Sequence, residues 1–181
     1  INSTAKEQMI DGTLQWTGNK TEHGLLGFVS RSGKDYKELR ASVTAENKKQ
    51  FPFNSSKKRM TTIVKDNAGL MTAYCKGASE IILDDCDQYV DADGAVVSMS
   101  PQKKALFNDV INDMANQGNR TIGVAFCPCH FTEFPEEEPS MSMVFMGVMG
   151  IQDPIREEVP IAVTRCQSAG LVIRMVTGDN I

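Results

Sequence analysis

Met60-Thr61-Thr62-Ile63-Val64-Lys65, Asp66-Asn67-Ala68-Gly69 and Leu70-Met71-Thr72-Ala73-Tyr74-Cys75-Lys76 read in succession as strand, turn and strand. Apolar and β-branched residues flank a cluster whose side chains and glycine suit tight-turn backbone, which predicts a β-hairpin. On its C-terminal side, Ala78–Leu83 has the look of a short helix, and Tyr89–Ser98 is a second hairpin around Asp91-Ala92-Asp93-Gly94. Ser100-Pro101 then opens a longer helix: Ser is a strong N-cap, Pro suits the first turn, and Gly118 stands where a helix ends. Its expected buried stripe is Ala105, Leu106, Val110, Ile111 and Met114. Thr121–Phe126 and Met143–Ile151 are strands separated by an acidic stretch, Glu133–Pro139, expected to be a solvated loop. Towards the N-terminus, Asp35 caps a short helix running to Val43 and Thr21 caps another carrying Leu25, Leu26, Phe28 and Val29. Residues 1–20 give little periodic signal.

This order predicts the α/β class in its α+β form, an antiparallel sheet with helices packed on it, over residues 1–146. Residues 147–181 read differently. Gly147–Ile151 is an apolar run, Glu157–Ala169 has helical spacing, Gly170 is a stop, and Leu171–Val176 is apolar and β-branched. That is a β-α-β piece of a Rossmann-like domain, with polar loops at its strand ends, where ligands collect in open α/β sheets. A two-strand unit cannot bury both faces alone, so a piece of a larger protein is expected, and the start at Ile1 in place of Met suggests the same.

The 181 residues carry a net charge of −4, with 41% hydrophobic and 23% charged residues, which supports a real core and gives no basic surface for nucleic acid. No apolar run approaches the ~20 residues that span a bilayer. Five cysteines, an odd count without framework spacing, point to reduced thiols in a cytosolic setting. The sequons at Asn2, Asn19, Asn54 and Asn119 are read as unglycosylated.

Neither a Walker phosphate loop nor a G-x-G-x-x-G occurs. Cys127-Pro128-Cys129-His130 offers soft ligands but lacks the second pair that zinc sites need. Asp91-Ala92-Asp93-Gly94 has no carboxylate at the first or last position of a calcium loop. Phe51-Pro52-Phe53-Asn54-Ser55-Ser56-Lys57-Lys58-Arg59-Met60 is sharper, since adenine suits a flat aromatic face and phosphates suit fixed cations. By composition alone, a solvated basic loop with Phe53 in the core is the commoner reading. Tyr74-Cys75-Lys76-Gly77-Ala78 sets an ammonium at a strand end, with a glycine that allows close backbone approach by a ligand, or it is an ordinary turn. Arg120, at a helix-to-strand junction, is equally open.

Taken in order these segments resemble the P-type ATPases, and among them the plasma-membrane calcium pumps, over nearly the whole chain. Ile1-Asn2-Ser3 with Gly18–Glu22 and Gly24–Phe28, then Phe53–Met60, Lys76–Glu80, Asn119–Thr121, Asp153–Arg156 and Thr177–Asn180 carry the resemblance. It implies that Phe53 stacks on adenine and Glu22 contacts the adenine edge. Lys58 and Lys76 line the pocket, with Met60, Gly77 and Ala78 shaping it, and Arg120 approaches the phosphates. Arg156 and Asp153 lie on the hinge side, and Thr177, Gly178 and Asp179 help to position the transferred phosphoryl group and its Mg2+. At Ser55, reticulum-type pumps carry arginine, so the phosphate contact of that position passes to Lys57 or Lys58. The Asp-Lys-Thr-Gly-Thr motif of the phosphorylated aspartate does not occur, so no catalytic residue and no protein-held metal are expected here. The implied function is ATP or ADP binding, as a monomer, by a cytosolic domain of a pump in the plasma membrane or a calcium-store membrane. Its partners are the phosphorylation, actuator and membrane domains of the same polypeptide. Two readings from other classes are a soluble phosphatase-like hydrolase using Asp91 and Asp93, and an interaction module docking through Glu133–Glu138.

Overall fold

The Asp66–Gly69 turn folds back as its chemistry requires. Asp66 Oδ1 accepts from the amides of Ala68 at 2.9 Å and Leu70 at 2.8 Å, and strands Arg59–Lys65 (β4) and Met71–Ala78 (β5) pair antiparallel around it. The computed structural model describes residues 1–10, 13–152 and 155–176. Its chain falls into two units, Ile1–Ile151 and Gln152–Ile181.

The first unit opens with an antiparallel pair, Lys6–Ile10 (β1) and Thr13–Thr17 (β2), followed by helices Lys20–Arg31 (α1) and Tyr36–Ala41 (α2). Strand Lys48–Asn54 (β3), helix Ser79–Asp84 (α3), strands Cys86–Val90 (β6) and Val96–Ser98 (β7), helix Pro101–Asn116 (α4) and strands Arg120–Cys129 (β8) and Met143–Ile151 (β9) follow. Seven strands form one sheet in the order β3-β4-β5-β8-β9-β6-β7. The mixed α/β class holds, but the sheet is not wholly antiparallel, because β6 pairs with β9 in parallel.

Alternation along β5 divides the sheet. Met71, Ala73, Cys75 and Gly77 are buried while Thr72, Tyr74, Lys76 and Ala78 are half-buried. The first set faces α3, α4 and the segment after β8, where Cys75, Ile82, Leu83, Ile111, Ala125 and Phe145 pack together. Lys76, on the second set, bonds to Glu22 of α1, so the N-terminal segment and first helices lie over that face. There Ala5, Leu26 and Tyr36 form a separate cluster.

Several expectations need correction. Asn19, not Thr21, caps α1: its Oδ1 accepts from Thr21 N at 2.8 Å, because its extended backbone leaves the side chain free to turn onto the first amides. The α4 stripe is rotated. Ile111 is its buried residue, with Phe107 packed against the same core, while Ala105, Leu106 and Val110 are exposed. Residues 6–10 and 13–17 form a strand pair that apolar periodicity did not signal. The β-α-β reading is also displaced. Gly147–Ile151 is the end of β9, pairing with Arg120–Val124 inside the main sheet, and Leu171–Val176 forms no strand. A strand needs a neighbouring ladder, and none of the described residues offers one to Leu171–Val176. The second unit is therefore helix Glu158–Ser168 (α5) with flanking chain.

Candidate functional site

Lys76 lies in the middle strand of a ladder. It pairs with Met60 on one side and Val124 on the other, so these three side chains share one sheet face. A bulge in β3 brings Phe53 to the same level. Phe51 pairs with Thr61 and Asn54 with Arg59, so Pro52 and Phe53 together stand opposite Met60. The Phe53 ring is 62% exposed, which overturns its placement in the core. Two steps from Lys76, Ala78 pairs with Ile122, and Arg120 is one alternation further along β8 on this same face. Arg120 Nη1 lies 3.5 Å from Thr21 Oγ1 of α1. Lys58 is exposed in the turn between β3 and β4. The fold thus sets Phe53, Met60, Lys76, Ala78 and Arg120 on one sheet face, which α1 reaches through Glu22 and Thr21, with Lys58 at their margin.

Gly77 belongs to the opposite face. A Cβ there would meet Lys58 O at 2.4 Å and Arg59 Cα at 2.8 Å. The close approach that demands glycine is by the neighbouring strand's backbone, not by a ligand. Lys58 O, in turn, accepts from Ala78 N at 3.0 Å.

Over the face lies the N-terminal segment, whose Ile1-Asn2-Ser3 carried part of the resemblance but was given no place at the site. Asn2 Nδ2 donates to Met60 O at 3.1 Å and Tyr74 O at 3.0 Å, and its Oδ1 accepts from Thr62 Oγ1 at 2.9 Å. Arg40 of α2 donates to Ala5 O at 2.7 Å and Ser3 O at 3.1 Å. Glu22 joins this segment to the sheet. Its Oε2 accepts from Thr4 N at 2.9 Å, Thr4 Oγ1 at 2.8 Å and Ala5 N at 2.9 Å, while Oε1 accepts from Lys76 Nζ at 2.6 Å. Lys76 Nζ also donates to Asn2 O at 2.6 Å.

Burial pushes the Glu22 carboxyl upward, but the hydrogen bonds from Lys76 and Thr4 outweigh it and hold it at about 2. Burial lowers the Lys76 ammonium against the opposing pull of Glu22. A side chain 7% exposed beside one 13% exposed is an ion pair in low dielectric, well apart from a surface bridge. Two of the three Lys76 protons are committed, and Glu22 Oε1 holds one partner, so a ligand polar group can share both.

Arg156 is exposed in the second unit, where its carbonyl accepts from Val159 N at 3.0 Å. Asp153, Thr177, Gly178 and Asp179 lie outside the described residues. Asp91 is taken up by its own turn, its Oδ1 accepting from the amides of Asp93 at 3.0 Å and Ala95 at 2.8 Å. Glu138, expected to be solvated, is turned inward, its Oε2 accepting from Lys57 Nζ at 2.8 Å.

A family model described as P-type ATPase, cytoplasmic domain N, matches residues 1–158. The chain belongs to that family. Among relatives of this P-type ATPase domain, it is 44% identical to calcium-transporting ATPase PAT1 of Dictyostelium discoideum, matching over 100% of this chain and 16% of that protein. It is 40% identical to plasma membrane calcium-transporting ATPase mca-1 of Caenorhabditis elegans, over 100% of this chain and 17% of the relative. With plasma membrane calcium-transporting ATPase 4 of Bos taurus the identity is 41%, over 94% and 14%. The chain therefore spans about a sixth of the length of the relatives it matches. No described helix is long and apolar enough to cross a membrane.

Proposed function

We propose that this chain is the ATP-binding part of a calcium-transporting P-type ATPase, an enzyme that couples ATP hydrolysis, through an aspartyl-phosphate, to Ca2+ export across the plasma membrane or a calcium-store membrane. ATP or ADP lies on the sheet face that carries Phe53, Met60 and Lys76. The observation that carries this reading is the exposed Phe53 ring set at the ladder level of Met60 and Lys76, a flat apolar surface beside a fixed ammonium. Adenine stacks on Phe53 over Met60, and its amino edge shares Glu22 Oε1 with Lys76. Lys58 and Arg120 meet the phosphates, while Ala78 borders the pocket and Gly77 supports it from behind. Arg156, Asp153, Thr177, Gly178 and Asp179 belong to the hinge and phosphoryl side, where the rest of the polypeptide supplies the aspartate, the actuator and the membrane path.

Mg2+ accompanies ATP in this reading and neutralises charge on its phosphates. Among the described residues no group of three or more His, Cys, Asp or Glu side chains assembles a metal site. Its protein ligands belong with Asp179 and the partner domains. The chain alone binds nucleotide without turning it over. Titration of the 15N-labelled protein with ATP should perturb Phe53, Met60, Lys76 and Arg120 together. Unmoved resonances at millimolar ATP would dismiss the site.

A further inference from the structure

The sheet face turned away from that pocket carries an ion network built on one buried carboxylate. Glu138 is 8% exposed. Oε2 accepts from Lys57 Nζ at 2.8 Å, and Oε1 from Arg59 Nε at 3.1 Å and Thr61 Oγ1 at 2.7 Å. Arg59 reaches onward to Asp85, just after α3, in a second ion pair. Glu138 thus grips three alternate residues, Lys57, Arg59 and Thr61, and passes over Lys58 and Met60 between them. Lys58 sits at φ 49°, a left-handed conformation uncommon for a residue with a side chain. Its amide donates to Asn54 O at 2.7 Å and its carbonyl accepts from Ala78 N at 3.0 Å. Without a counter-charge on the far face, Lys57, Lys58 and Arg59 would repel one another, and the strained turn would lose the contacts that over-determine it.

We propose that Glu138 is a positioning residue for the nucleotide pocket: by drawing Lys57, Arg59 and Thr61 to the opposite face it fixes the Asn54–Arg59 turn that presents Phe53 and Lys58. The inference rests on the ATP-binding reading above. Burial works to raise the Glu138 carboxyl, but the bonds from Lys57 and Thr61 and the charge of Arg59 outweigh it and lower it, so the carboxylate is ionised at neutral pH. Charge is therefore the working property, and a neutral isostere removes it while keeping the volume.

The test uses the full 181-residue chain as Glu138→Gln, Glu138→Asp and, as a control, Phe134→Leu, which loosens the same segment where it packs against the Ile63, Met71 and Ala73 cluster. Amide exchange in the ligand-free protein reads the turn, and ATP titration reads the pocket. Glu138→Gln should speed exchange at Lys58 and Ala78 about tenfold, equivalent to ~1.4 kcal/mol, and weaken ATP binding by roughly three- to tenfold. Glu138→Asp should recover part of both effects, and Phe134→Leu should lower the melting temperature while sparing both. Unchanged exchange at Lys58 and Ala78, or the same change in Phe134→Leu, overturns the proposal. So does unaltered ATP affinity in Glu138→Gln when the wild type binds. If the wild type shows no ATP binding, the functional reading fails by itself, and exchange alone decides whether Glu138 holds the turn.

Discussion

Replacing Glu22 with Gln is the most demanding test of the face that carries the pocket. The change keeps the side-chain volume and one carbonyl oxygen for the Thr4 and Ala5 amides. It sets an amide donor against the Lys76 ammonium and leaves that charge, 13% exposed, without a counter-ion. Breaking one side of a buried ion pair costs about 3–5 kcal/mol. The lowered carboxyl leads to a similar figure, since holding it at about 2 in place of 4.5 corresponds to ~3 kcal/mol at about 1.36 kcal/mol per pH unit. Because the folded value is depressed, this stability is present above pH 4.5 and drains away as pH falls towards 2. Urea denaturation should therefore show Glu22→Gln weaker than wild type by ~3 kcal/mol at pH 7, or roughly 6–12 °C in melting temperature. The gap should narrow through pH 4 and close below pH 2, where the wild-type carboxyl is itself protonated. A gap below about 1 kcal/mol at neutral pH, or one constant from pH 6 to 2.5, would refute the idea that the ionised pair fastens the N-terminal segment to the sheet.

Other perturbations separate binding from folding. Phe53→Ala should leave stability within about 0.5 kcal/mol, because the ring is largely exposed, yet cost ~1–3 kcal/mol of ATP affinity as lost stacking in a titration. Gly77→Ala should destabilise by roughly 1–3 kcal/mol in a urea melt, since its new Cβ meets backbone that must move. Ser100→Ala, which deletes the oxygen accepting from Lys103 N at 3.1 Å, should cost ~1 kcal/mol as a lost helix cap in the same assay. In thiol labelling at pH 8, Cys86 should stay unmodified until the protein unfolds, because burial and the nearby Asp85 push its thiol up to about 12.

What could be read from sequence was local. The Asp66–Gly69 hairpin, the Asp35 and Ser100 caps and the Gly118 stop each rest on neighbours a few residues apart, and each stands where residue chemistry put it. The α4 stripe held at Ile111 but not at Ala105, Leu106 or Val110, because helical spacing admits more than one apolar face. Leu106 and Val110 lie on one and Phe107 and Ile111 on the other, and only the sheet beneath decides between them. Gly147–Ile151 failed for a similar reason: an apolar run says that a strand is buried, not which strand it pairs with. Among site residues, Glu22, Lys58, Lys76 and Arg120 were given roles through resemblance, while Asn2, Arg40, Asp85 and Glu138 were not. Their partners lie between 26 and 81 residues away. One signal was available for Glu138: Lys57-Lys58-Arg59 is a dense basic run, Glu136-Glu137-Glu138 the densest acidic one, and a folded domain tends to bring such opposites together.

The arrangement of the basic run follows from the turn. Lys57 and Lys58 lie in it and Arg59 opens β4, so the three consecutive cations leave the chain in different directions, and the ones turned away from the proposed pocket are neutralised where they land. Here the ones turned away are Lys57 and Arg59, held by Glu138 and Asp85, and the residue between them takes a left-handed backbone as the chain reverses. On the pocket side the same logic recurs with one cation and one anion, Lys76 and Glu22. The sheet is thus pinned from both faces by carboxylates brought in from α1 and from the segment before β9, each satisfying cations on β4, β5 or the turn that joins β3 to β4. Under the proposed function such a turn must be stiff, because a loose cation would spend binding energy on its own ordering. On that reading, anchoring from behind would supply the stiffness without placing the Glu138 charge next to the phosphates.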